Sequence, residues 1–298
     1  MRNQLVWRSM LYVPSNNPSF IGKAHTRGAD AIILDLEDSV PASERVGARA
    51  GLAEAVKTAG QSGADVLVRI NRPIEEAVRD IEAAVMSGVC GLYLPKVESA
   101  EHLCLLEELV SSRELIQGME QGSTMLVPMI ETAGGYFRVE EIAKSSRRNA
   151  GITLGGEDFA LDTGMIPDEE TLFLGSQKVV YAARAAGIIP LGTIGTVANF
   201  KDLNAYRLSA IKSQKFGFEG ASCIHPSVVT LLNEEFAPTE EEVIKAKRLI
   251  VAYEEAQAQG TGAITLDGKM VDVPIALRAQ ALLEKHQRIL DNAESPSD

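Results

Sequence analysis

The chain has 298 residues, 45% of them hydrophobic, enough for a large core and within the range of a single α/β barrel. Its 29 basic and 41 acidic residues give a formal net charge of −12, which argues against a nucleic-acid-binding surface but leaves room for a local basic pocket. Three widely spaced cysteines (Cys90, Cys104, Cys223) form no zinc or CxxC pattern, no apolar stretch reaches membrane-span length, and the N-terminus lacks signal-peptide character. A cytoplasmic protein with reduced thiols is expected.

Eight short apolar runs read as strands: Met10–Val13, Ala31–Leu36, Val66–Ile70, Gly91–Leu94, Met125–Ile130, Gly151–Leu154, Ile188–Leu191 and Ala221–Ile224. Their near-continuous apolarity fits strands buried on both faces. Between them, Ala42–Ala59, Glu75–Met86, Ala100–Gln117, Val139–Ser145, Thr171–Ala186 and Lys201–Lys215 have helical character. Glycines 60, 88, 187 and 217 follow as stops. Strands alternating with helices predict a (β/α)8 TIM barrel over residues 1–235. Residues 236–298 form a C-terminal helical extension. It comprises a helix capped by Thr239, a glycine-rich hairpin GTGAITLDGKMVDVP, a final amphipathic helix Ile275–Leu290 and a frayed tail AESPSD. Too small to fold readily alone, it is expected to pack on the barrel or on a neighbouring subunit.

In such barrels the active site forms at the C-terminal strand ends. Those ends carry Ser15, Asp35, Glu37, Asp38, Arg69, Lys96, Glu131, Glu157, Asp158 and His225. Glu131 in MIETAGG and Asp158 in GGEDFALDTG each end an apolar run, as hard oxygen ligands for Mg²⁺ would. An acidic cluster repels itself unless cations neutralise it, so a metal plus Arg69 is a sensible resolution. The alternative is structural pairing of these carboxylates with Arg69 and Lys96. Asp35 and Glu37 share a strand face, where holding Arg69 competes with direct ligand contact. His225 reads either as a site residue or as a cap of the strand–helix junction. His25, His102 and His286 fall in predicted helices as surface residues. Neither Ser9 nor Ser15 has a His–Asp arrangement suggesting a nucleophile, and no phosphate-cradling glycine motif follows a strand.

Nine stretches, RSMLYVPSNNP, GADAIILDLEDSVP, VRIN, LPKVES, IETAGG, GGEDFALDTG, GFEGASCIHPS, FAPTEEEV and DGKMVDVPI, occur in order from residue 8 to about 275. Together they resemble the citrate lyase β-subunit-like family of the HpcH/HpaI aldolase superfamily. The resemblance implies a Mg²⁺-dependent carbon–carbon lyase that reversibly cleaves an acyl-CoA such as citramalyl-CoA or malyl-CoA to acetyl-CoA and a 2-oxo acid, pyruvate or glyoxylate. It also implies a homo-oligomer, a trimer or hexamer. Glu131 and Asp158 then match the metal ligands, and Arg69 the arginine supporting substrate and enolate. Asp272 matches the catalytic carboxylate, often delivered from a neighbouring subunit. Glu37, Asp38, Gly156 and Glu157 are candidate substrate contacts. Lys23, Arg27 and Lys96 are candidate contacts for the coenzyme A phosphates. Departures from the family pattern are Ser15 for a glycine, Ala221 for a lysine, and the lack of an acid near PLGTIGT. The competing readings are a citrate lyase β subunit whose thioester sits on an acyl carrier protein, a class II aldolase acting on free 2-oxo acids, and a binding protein without turnover.

Overall fold

The apolar runs become strands because each can be covered on both faces, from inside by other strands and from outside by helices. In the computed structural model, which describes residues 5–196 and 200–294, the strands are β1 (Ser9–Pro14), β2 (Ala31–Asp35), β3 (Asp65–Arg69), β4 (Gly91–Leu94), β5 (Met125–Ile130), β6 (Gly151–Leu154), β7 (Ile189–Leu191) and β8 (Ala221–Cys223). They pair in parallel in the order β7-β6-β5-β4-β3-β2-β1-β8. A bridge between Leu191 and Gly220, with Gly192 N donating to Gly220 O at 2.8 Å, brings β7 to β8 and nearly closes the ring. Gly220 lies so close to the Trp7 carbonyl that any Cβ there would collide with it. The expected TIM-barrel architecture is present.

Helices surround the ring: α1 (Pro18–Ala24), α2 (Arg45–Ala50), α3 (Leu52–Ala59), α4 (Ile74–Ala84), α5 (Ala100–Ile116), α6 (Ala133–Phe137), α7 (Val139–Lys144), α8 (Gly156–Thr163), α9 (Glu169–Ala186), α10 (Leu203–Lys215) and α11 (Val229–Glu235). The single helix expected over 42–59 is a 3-10 turn and two helices that meet at Gly51, because Gly47 and Gly51 weaken helical continuity there. Four short helices went unread: α1, α6, α8 and α11. The first has a proline at its start and the second holds two glycines, so neither shows a helical apolar period.

Beyond the barrel come α12 (Glu240–Ala258), an antiparallel hairpin of β9 (Ile264–Leu266) and β10 (Lys269–Val271), and α13 (Val273–Glu294). Thr239 caps α12, its hydroxyl accepting from Glu242 N while Glu242 reaches back to Thr239 N. Tyr253, Val271 and Ala276 form a small apolar cluster of their own within this extension. Further along α13, Lys285 reaches the Glu219 carbonyl, just before β8. The extension therefore lies under the N-terminal ends of the strands. The tail at residues 295–298 falls outside the described residues. No described helix is long and apolar enough to cross a membrane.

Two apolar layers result from the two-residue period of the strands. Met10, Ile33, Leu67, Tyr93, Val127 and Leu191 fill the barrel interior, while Leu11, Ile32, Val68, Leu92 and Leu126 pack against the helices. At the lower end, the fully buried Glu114 of α5 receives both Nη atoms of Arg148 at 2.7 Å, plus the backbone N–H groups of Gly122 and Thr124. Burial works against this charge, but these partners outweigh it and hold the Glu114 carboxyl at about 2.

Replacing Arg148 with Leu strands that charge and should cost about 3–5 kcal/mol in urea unfolding; the double variant with Glu114→Leu should recover part of the loss. Because the folded carboxyl titrates below its ordinary 4.5, the stabilisation is complete above that value and fades as pH falls toward 2. A wild-type-like midpoint in Arg148→Leu would contradict this role.

Candidate active site

The inward parity of the strands selects what faces the upper mouth. The series that buries Ile33, Leu67 and Val127 continues to Asp35, Arg69, Met129 and Glu131, and on β1 to Tyr12. Asp35 and Arg69 are register partners on adjacent strands. The Arg69 guanidinium donates Nε and Nη2 to the two Asp35 oxygens, each at 2.7 Å, and lies 4.8 Å from the centre of the Tyr12 ring. Asp35 also accepts from Glu37 N, Ser39 N and the Ser39 hydroxyl. Burial pushes its carboxyl up, but Arg69 and these donors outweigh burial and hold it below the usual range. Asp35 is thus the counter-ion that orients Arg69.

The remaining Arg69 atom, Nη1, faces Asp38 at 3.2 Å and Glu37 at 3.0 Å, the latter without hydrogen-bond alignment. Burial raises the Glu37 carboxyl to about 8, against the charge of Arg69 and with the help of Asp38 and Glu131. Across the mouth, Glu131 is 2% exposed and accepts the backbone N–H of Lys96 at 2.7 Å. Burial, and then the charge of Asp158, raise it to about 7 despite that hydrogen bond.

Asp158 does not end a strand, as the sequence suggests. β6 stops at Leu154, and Asp158 belongs to the first turn of α8, after Gly155, Gly156 and Glu157. The turn can begin so tightly because Gly155 has no side chain: an added Cβ would sit 2.5 Å from Glu131 Cγ. This close approach brings the α8 carboxylate to the same place as Glu131. Lys96 completes the group, its Nζ 3.1 Å from Asp158 and 3.7 Å from Glu37. Its φ of 49° is a left-handed conformation unusual for lysine.

A cavity of about 480 Å³ opens above these groups, lined on its other side by Thr153, Thr193, Thr196, Ser222 and Ile224. Glu157 accepts the Thr196 hydroxyl. Sequence reading missed this hydroxyl wall and Tyr12. Tyr12 was recoverable, since it shares inward parity with Met10. The loops after β7 carry no such signal.

Other candidates lie elsewhere. Lys23 is in the last turn of α1 and Arg27 lies in the turn after it; both are exposed and outside the mouth lining. Asp272 caps α13, its Oδ1 accepting from Ile275 N at 3.4 Å, and is likewise absent from the mouth of its own barrel. His225 is a cap, its Nδ1 accepting from Ser227 N while its ring stacks on Phe200. His25, His102 and His286 are half-buried rather than fully on the surface.

Among the described residues, no three His, Cys, Asp or Glu side chains converge on one metal position. The donor set at the mouth is the pair Glu131 and Asp158. Two hard carboxylates, one raised to about 7 by burial and by the other's charge, beside a cavity with room for water, fit Mg²⁺, which keeps several waters and takes few protein ligands.

Residues 8–226 match the HpcH/HpaI aldolase/citrate lyase family. The chain belongs to this family. Among its relatives is the citrate lyase subunit beta of Leuconostoc mesenteroides subsp. cremoris, 37% identical over 95% of this chain and 94% of the relative. The L-malyl-CoA/beta-methylmalyl-CoA lyase of Rhodobacter capsulatus is 30% identical over 93% of this chain and 94% of its own. The CitE protein of Mycobacterium tuberculosis, solved with magnesium, acetoacetate and coenzyme A, superposes with a TM-score of 0.75 at 25% identity. The superposition covers 95% of this chain and 99% of that one. The expected lyase class and the family resemblance both stand.

Glu37 and Glu131 bind protons more tightly folded than unfolded, so metal-free stability should fall as pH rises from about 4.5 toward 8. Thermal unfolding in EDTA between pH 5 and 8 measures this, and Glu131→Gln should flatten the slope. An unchanged slope in that variant would show that Glu131 is not strained by its charge.

Proposed function

We propose that the protein is a Mg²⁺-dependent carbon–carbon lyase acting on a 3-hydroxy-3-carboxyacyl thioester. Citramalyl-CoA, cleaved to acetyl-CoA and pyruvate, is the leading substrate and malyl-CoA the next. The observation that carries this reading is the opposition, across one mouth, of the Glu131–Asp158 pair and an Arg69 held by Asp35. Glu131 and Asp158 would hold the metal, which when bound supplies Lewis-acid polarisation of the oxygen on the carbon being attacked or released.

The chain's own groups supply the rest. Arg69 is fixed through Nε and Nη2, and its Nη1, which faces Asp38 and Glu37, is the atom proposed to turn to a thioester enolate oxygen and offset its negative charge. Asp35 keeps that edge in place, and Tyr12 covers the guanidinium from the barrel side. The hydroxyl wall of Thr153, Thr193 and Ser222 offers donors to a substrate carboxylate without adding charge. Gly156 and Glu157 border the same space, and Lys96 balances the acidic side.

Proton transfer at the acetyl carbon is assigned to Asp272. Since this residue caps α13 away from its own mouth, the proposal has it act at the site of an adjacent subunit, in a trimer or hexamer. Lys23 and Arg27 remain proposed phosphate contacts for coenzyme A. A second reading, a citrate lyase β subunit acting on a thioester carried by an acyl carrier protein, is favoured by the 37% identity to such a subunit, against 30% to the malyl-CoA lyase.

An assay of pyruvate, glyoxylate and oxaloacetate release from citramalyl, malyl and citryl thioesters of CoA and of acyl carrier protein tests the reading. Pyruvate from citramalyl-CoA, abolished by EDTA, is expected; release only from citryl-carrier protein would favour the second reading. Asp158→Ala should remain folded yet lose Mg²⁺-dependent turnover, and full residual activity would remove the metal assignment.

Mixing inactive Asp158→Ala with inactive Asp272→Ala after subunit exchange should restore about one quarter of wild-type activity if each site joins two subunits in a ring. No recovery despite verified exchange would place Asp272 in its own subunit's site or outside catalysis.

A further inference from the structure

Two cations meet the acidic groups of the mouth, and they are held differently. Arg69 is locked to Asp35 through two aligned donors and is largely buried. Lys96 makes single-point contacts, its Nζ 3.1 Å from Asp158 Oδ1 and 3.7 Å from Glu37 Oε1, and its side chain is partly exposed. Among the described residues, no other cation lies within ion-pair distance of Asp158.

The backbone of Lys96, in the turn after β4, is fixed where its ammonium is not. Its N–H donates to Glu131 at 2.7 Å, its carbonyl accepts from Arg72 Nε at 3.0 Å, and Val97 N donates to the Met129 carbonyl at 3.2 Å. These bonds hold the left-handed φ of 49°. From that anchor a flexible four-carbon stem carries a compact point charge to Asp158, with no paired donation to lock it there. A Mg²⁺ ion ligated by Asp158 would stand about 2.1 Å from a carboxylate oxygen. Two cations sharing one carboxylate repel each other strongly in such a site. The ammonium and the metal therefore compete for Asp158.

We propose that Lys96 is an exchangeable counter-ion, whose ammonium pairs with Asp158 until a divalent ion binds there and then turns to Glu37, already 3.7 Å away. Lys96 is thus a positioning residue that sets the affinity of the site for metal, acting through Asp158 rather than on the substrate. Its backbone N–H keeps Glu131 in place in both states, so one residue steadies one ligand and yields the other. The inference rests on the reading of Glu131 and Asp158 as metal ligands, and adds what their metal must displace.

Calorimetric titration of the full-length, EDTA-treated and dialysed protein with Mg²⁺ tests this without turnover. Lys96→Gln should bind Mg²⁺ about tenfold more tightly than wild type, the order expected when one charge-assisted contact no longer has to be broken. Lys96→Arg, which keeps the charge, should not tighten binding. Both variants retain the backbone bonds and should fold. Lys178→Gln removes the same charge from a side chain that stands over the Tyr136 ring, outside the mouth lining, and should leave the affinity unchanged. Unchanged or weaker Mg²⁺ binding in Lys96→Gln, or equal tightening in Lys178→Gln, would overturn the proposal. Asp158→Ala separates the two claims. Lost Mg²⁺ binding there with an unaltered Lys96→Gln overturns only the exchange, whereas wild-type Mg²⁺ binding in Asp158→Ala overturns the metal assignment and the exchange with it.

Discussion

The two-point bond between Arg69 and Asp35 is the contact around which the mouth of the barrel is organised. Neighbouring strands put these residues in register, and the inward parity that fills the core points both toward the opening. A lone buried guanidinium or carboxylate would cost several kcal/mol. Paired, they form a rigid base whose third edge faces Asp38 and Glu37. Glu37, Asp38 and Tyr12 gather around that base, since each contacts the same guanidinium.

The opposite side of the mouth is held less comfortably. Glu131 is buried with a single backbone N–H at 2.7 Å, and Asp158 is brought against it from the start of α8. The chain balances them with Lys96, whose left-handed backbone costs on the order of 1–3 kcal/mol. That conformation lets one residue serve both carboxylates, Glu131 through its N–H and Asp158 through its ammonium. Strain, a raised Glu131 carboxyl and a glycine at 155 coincide here because the site concentrates negative charge in a small volume. A divalent cation is the natural complement of such a volume.

The C-terminal extension answers to different constraints. Its small core around Tyr253 and Val271 is its own, and α13 meets the barrel through both charged and apolar residues, Lys285 and Ile289 among them. It bears the carboxylate that the proposed chemistry needs.

Sequence alone determined the number and order of the strands, since apolar runs punctuated by glycine admit few other folds. It also marked Asp35, Arg69 and Glu131, because a two-residue period carries a charge at the end of a buried strand into the barrel mouth. It put Asp158 beside Glu131 but at a strand end, whereas the residue lies in a helix that begins where Gly155 fits against Glu131 of the neighbouring strand. Nor did it find the left-handed Lys96, the hydroxyl wall from β6 to β8, or the side of the barrel on which Asp272 lies. These depend on which surfaces meet after folding. Local pattern reports what a residue prefers; only packing across the barrel decides what it faces.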